Sequence, residues 1–205
     1  MIFQVFLISF GISLLGTIPP ATINITVMQL SLTKRAKSAF YLSLGAAIID
    51  TTYAALAVQI QIYLSEKLEF TNYFYLIAAC VLGVLGVFSI RSRVNSSQVE
   101  LKDSGKTGFL KGIILGVLNP LAMPFWLGVT TYLQINGLIN LMGINYWGYI
   151  LGVFLGEVTL LFIIIRVGGR FTRVADNRTI VNVIPGVVFL FLALVNIGQW
   201  ISYYF

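Results

Sequence analysis

The sequence predicts an all-α polytopic membrane protein. It reads as six transmembrane helices in two inverted three-helix repeats, with helices one and four broken. Three observations carry that prediction. The 205 residues are 58% hydrophobic and only 10% charged, against about a quarter charged in soluble domains, so the chain lacks the polar groups to cover a water-facing surface. Six apolar segments follow one another, each near the roughly 20 residues that a spanning helix needs. Landmarks of the first three segments also recur in the last three.

In order, the segments are 3–32, 39–62, 72–90, 109–133, 145–165 and 182–204. The first is long, as a broken span would be. Its start "MIFQVFLISFGISLLG" has no basic n-region, so it reads as a span rather than a signal peptide, although Ala21 resembles a cleavage site. The clearly polar stretch is 91–108, a cytoplasmic loop that divides repeat one (1–90) from repeat two (109–205) within a single transmembrane domain, 1–205.

The connections alternate in charge. Lys34, Arg35 and Lys37 follow segment one, and Glu66, Lys67 and Glu69 follow segment two. Arg91, Arg93, Lys102, Lys106 and Lys111 flank the third connection, the fourth is uncharged, and the fifth carries Arg166, Arg170, Arg173 and Arg178. Twelve of the thirteen basic residues thus fall on one side, the cytoplasmic side by the positive-inside rule, and both termini face outward. Topology accounts for the net charge of +6, and no nucleic-acid partner is needed.

There is no histidine, and the one cysteine, Cys80, reads as a small core residue. No metal site, disulfide framework or cofactor is expected. Tyr63, Tyr73, Tyr75, Tyr132, Tyr146, Trp147, Tyr149, Trp200, Tyr203 and Tyr204 lie near segment ends and read as interfacial anchors.

The repeat rests on two landmarks. "LGTIPP" (15–20) aligns with "LGVLNP" (115–120), and "LGAAIID" (44–50) with "LGVFLGE" (151–157), so Pro20 matches Pro120 and Asp50 matches Glu157. Each half has three spans, so the halves run in opposite directions, an arrangement common among secondary transporters. Pro19 and Pro20 deprive the carbonyls of Leu15 and Gly16 of their usual donors, and Pro120 and Pro124 do the same to Gly116 and Pro120. Asn119-Pro120 suits a new helix start, with Asn as N-cap and Pro as first helical residue. Two half-helix N-termini are then expected at mid-depth, with partial positive charge toward an anionic group such as a carboxylate. The alternative is ordinary proline kinks.

Asp50 and Glu157 sit near segment centres, where a charge costs about 2.5–3.5 kcal/mol on insertion scales. No basic residue lies at that depth, so both read either as proton-coupling or cation-binding groups, or as protonated structural acids. Thr17, Thr22, Asn24, Thr26 and Asn119 beside the breaks could line a cavity or bond across helices.

These residues resemble the LysE/RhtB-type translocator superfamily, bacterial exporters of amino acids and related small metabolites. "PPATINITVMQLSLTKRAKSAFYLSLGAAIIDTTYAAL" is similar to its first-helix motif, basic loop and second-helix "LGAxxxD", and "GFLKGIILGVLNPLAMPFWLGV" to its "G…NP…FW" segment. Pro19-Pro20-Ala21 stands where the family usually has Pro-Gly-Pro, and Leu121 where Lys is common. The resemblance implies a multi-pass protein of the bacterial inner membrane. It implies export of a small-molecule substrate, amino acids being the expected class; the breaks and the mid-span acid read above make Pro19, Pro20, Thr22, Asn24, Asp50, Asn119 and Pro120 the expected binding residues. The lipid bilayer is the expected partner, and a homo-oligomer is compatible. An intramembrane enzyme lacks a nucleophile–base spacing, a membrane scaffold has no use for mid-depth breaks, and a metal-ion exporter finds two lone carboxylates a poor ligand set.

Overall fold

A computed structural model describes residues 2–18, 22–65, 71–91, 104–119, 122–175 and 183–204. These residues form helices α1 (Ile2–Gly16), α2 (Thr22–Leu32), α3 (Ala36–Ser65), α4 (Thr71–Arg91), α5 (Gly105–Val117), α6 (Ala122–Ile135), α7 (Ile144–Ala175) and α8 (Ile184–Tyr204), with no strand among the described residues. Pro19, Pro20, Pro120, Lys67, Arg93, Lys102 and Arg178 lie outside them.

Both expected breaks are present. The first segment divides into α1 and α2, and the fourth into α5 and α6, the latter pair bent by 65°. The second helix is described from Ala122, whose N–H donates to the Asn119 carbonyl at 3.4 Å; the expected Asn119-Pro120 start falls partly outside the described residues. Pro124 falls in the first described turn of α6. The helices also outrun their segments. Arg166, Arg170 and Arg173, expected in a connection, lie on the last turns of α7. Among the described residues, α3 and α7 each contain a stretch long and apolar enough to cross a membrane (Ala36–Tyr63 and Ile144–Val167), and α5 with α6 makes a third when the bent pair counts as one span.

The principal helix pairs are α3 with α5, α1 with α7, and α4 with α8. Glycine permits the first two. A Cβ added at Gly112 would strike the Leu42 carbonyl oxygen, and one at Gly45 the Phe109 carbonyl oxygen; Gly152 and Gly156 meet Phe6, Ser9 and Phe10 in the same way. Small residues let backbones approach where lipid supplies no hydrophobic drive between helices. Ser13 Oγ adds a 2.7 Å bond to the Val153 carbonyl across α1 and α7. The two interfaces share a register: Gly45 faces Phe109 and Ile113, while Gly152 faces Phe6 and Phe10. Packing thus relates α1 to α5 by 103 residues (6 to 109), where the Gly-Pro motifs relate them by 100 (20 to 120). The three-residue shift keeps the same helix face, because neighbours along a helix recur every three to four residues. It sets the second break nearly one turn earlier.

Two buried apolar clusters fill the interior. One contains Val5, Ala54, Ala57, Trp126, Tyr149 and Val153; the other contains Ile23, Val27, Leu42, Ala46, Leu161 and Ile164. The 107-residue step from Asp50 to Glu157 also carries Leu42 to Tyr149, Ala46 to Val153, Ala54 to Leu161 and Ala57 to Ile164. Every one of these pairs exchanges the two clusters.

Candidate functional site

The two mid-segment acids meet. The side chains of Asp50 on α3 and Glu157 on α7 lie within hydrogen-bonding reach of each other. Along α3, Asp50 stands between Ala46 of one apolar cluster and Ala54 of the other; along α7, Glu157 stands between Val153 and Leu160, again one from each. The pair is therefore a polar layer between two apolar ones.

The two acids are held differently. Asp50 is part-buried, and its Oδ2 accepts a 2.9 Å hydrogen bond from the indole Nε1 of Trp126 on α6. Glu157 is only 3% exposed, and its Oε2 has no hydrogen-bond partner. Trp126 is itself fixed from behind: its ring meets Tyr149 edge-on at 6.2 Å, and the Tyr149 hydroxyl shares a 2.9 Å hydrogen bond with that of Thr130. All three side chains are fully buried or nearly so. A neighbouring aromatic group, Phe125 with Phe189, reaches the end of α1, where a Cβ on Gly16 would lie 2.6 Å from the Phe125 ring.

At the breaks, tightened turns recover two of the carbonyls left by the prolines: Ile18 N–H donates to Leu15 at 3.2 Å and Asn119 N–H to Gly116 at 3.1 Å. The next carbonyls are met by side chains. Asn24 Nδ2 donates to the Thr17 carbonyl, and the Tyr53 hydroxyl donates to that of Val117 at 3.1 Å. Thr17 and Val117 hold the same place in the two Gly-Pro motifs.

Among the predicted site residues, Asp50 and Glu157 are brought together. Asn24 is buried and bridges its own break. Thr17 and Thr26 bond back to the carbonyls of Ser13 and Thr22, one turn earlier, and Thr22 is exposed at the start of α2. Asn119 lies part-buried at the end of α5. Among the described residues, α2 and α6 are not one of the principal helix pairs. Tyr149 corrects an expectation: it is a wholly buried member of the site, not an interfacial anchor. Cys80 is exposed rather than core. Both errors have one cause, since an apolar context does not distinguish a lipid-facing position from an interior one. Trp126 was legible only as part of "FW"; nothing in the sequence tied it to Asp50. Among the described residues no three His, Cys, Asp or Glu side chains gather as a metal site would require.

Long apolar helices, two of their segments broken at Gly-Pro motifs, and a carboxyl pair between two apolar clusters define a helical membrane protein. The family model for LysE type translocator matches residues 14–198, and the chain belongs to that family, one of membrane exporters. No curated protein and no solved structure matches the chain.

Proposed function

We propose that this protein is a secondary transporter that exports amino acids or related small metabolites across the bacterial cytoplasmic membrane, driven by protons. The observation that carries the reading is the Asp50–Glu157 pair, held between two apolar clusters and drawn from matching places in the two halves. α1 with α2, α3 and α4 make three spans, and α5 with α6, α7 and α8 make three more in inverted orientation. The pairing of α1 with α7 and of α3 with α5, and the exchange of cluster residues between halves, support that arrangement. Each cluster closes one side of the acid pair, and alternating access opens them in turn.

The substrate's ammonium group is set against Asp50 and its carboxylate toward the N-terminal ends of α2 and α6, where free N–H groups favour an anion. Asp50, with Glu157, carries the coupling proton. The basic residues Lys34, Arg35, Lys37, Lys106 and Arg166 lie on one end of the bundle: Ser31 bonds to the Ile165 carbonyl and Ser38 to that of Ser104. This end faces the cytoplasm, with both termini outside.

Asp50→Asn keeps the side-chain volume and removes the ionisable group, so it should abolish export while leaving insertion and folding unchanged. Efflux from substrate-loaded vesicles against an amino-acid panel, with and without a pH gradient, is the measurement. Normal pH-driven efflux by the variant overturns the assignment.

A further inference from the structure

We propose that Asp50 and Glu157 work as one carboxylate–carboxylic acid unit in which Glu157 carries the proton and Asp50 the charge. An ionised carboxyl group only accepts hydrogen bonds, so two carboxyl groups within reach of each other between apolar clusters bond only by holding a proton between them. The surroundings say which one has it. Asp50 Oδ2 already accepts the Trp126 indole N–H, and the residue is part-exposed, which suits a charged acceptor. Glu157 is sealed, and its Oε2 is buried without a partner. Ionised, it would bury a charged oxygen that receives nothing; as an acid, its hydroxyl donates to Asp50 and only a neutral carbonyl oxygen stays bare, which costs far less.

No cation rewrites this assignment. α1, α2 and α6 contain no charged residue, and α3 contributes Lys37 in its first turn besides Asp50. On α7 the cations start at Arg166, more than two turns beyond Glu157. α5 carries Lys106 and Lys111, but it meets the Asp50 level through Gly116 against Ile49. The other titratable groups in these helices near the pair are the phenols of Tyr53, Tyr146 and Tyr149.

The unit therefore presents a single negative charge, on its accessible member, to one ammonium group of the substrate. Glu157 keeps its proton as a hydrogen-bond donor that holds Asp50 in place. A second proton on Asp50 competes with the substrate, and that competition is the exchange step. This deepens the reading of the pair as the transport site, but its test does not measure transport, so the two fail separately.

The test is infrared spectroscopy of the full-length protein in lipid vesicles at neutral pH. The remaining acids, Glu66, Glu69, Glu100, Asp103 and Asp176, fall in polar stretches of sequence and contribute carboxylate bands. Wild type should show a protonated-carboxyl C=O band that shifts in D2O, Glu157→Gln should lose it, and Asp50→Asn should keep it. Trp126→Phe should retain the band at a shifted position, because the acceptor of the Glu157 hydroxyl has lost its own donor. Absence of the band in wild type overturns the proposal without any variant being needed. Its survival in Glu157→Gln, or its loss in a folded Asp50→Asn, overturns it equally.

Discussion

The two helix breaks solve one problem with different means. At the first, the stray Thr17 carbonyl takes its hydrogen bond from Asn24, a buried side chain of α2, so the broken helix closes on itself. At the second, the Val117 carbonyl takes its bond from Tyr53 on α3, one turn from Asp50. The first break is bridged from within its own span, whereas the second is tied to the helix that carries the acid. A movement of α5 and α6 about their break thus pulls on the Asp50 helix at the break itself, whereas α1 reaches the site through α7, where Ser13 bonds to the Val153 carbonyl one turn from Glu157. The apolar clusters differ in the same sense. Tyr149 and Thr130 place a hydroxyl pair behind Trp126, while the counterpart of Tyr149 in the other cluster is Leu42, with nothing to donate.

Several substitutions would sharpen or break this comparison. The largest stability effects are expected where the halves are alike. Gly112→Val and Gly152→Val each force a side chain into a facing backbone and should cost about 1–3 kcal/mol or more. Gly11→Ala, with nothing within 4 Å, should change stability by less than about 0.5 kcal/mol. Unfolding in mixed micelles measures all three, and unequal costs for Gly112 and Gly152 would show that the two interfaces do not bear equal loads.

Asn24→Ala comes next. It leaves the Thr17 carbonyl without this donor and should cost about 1–3 kcal/mol in the same assay. Tyr53→Phe is expected to be milder in stability, about 0.5–1.5 kcal/mol, because its hydrogen bond is exposed. In efflux assays the ranking should invert, with Tyr53→Phe slowing transport more than its stability loss explains. Equal ratios of transport loss to stability loss for the two variants would end the distinction between a closed break and a coupled one.

Much of this was legible in the sequence because lipid imposes few choices. Backbone groups in hydrocarbon must bond within their own helix, so apolar runs became α-helices and proline at 19–20 and 120 interrupted them. The "LG…D" and "LG…E" landmarks marked acids that the fold brings into contact. Other features were open until the helices packed. Asn24 reads as lining a cavity or bonding across helices, and its bond to the Thr17 carbonyl bridges a break; Tyr149 reads as an anchor and is buried; Cys80 reads as core and is exposed. The partner of Asp50 on α6, Trp126, lies 76 residues away in the chain. In water, the alternation of polar and apolar residues tells a helix's inner face from its outer one. In a bilayer both faces are apolar, so composition and proline placement determine where helices form and stop, and only tertiary packing decides which side chains turn inward to meet.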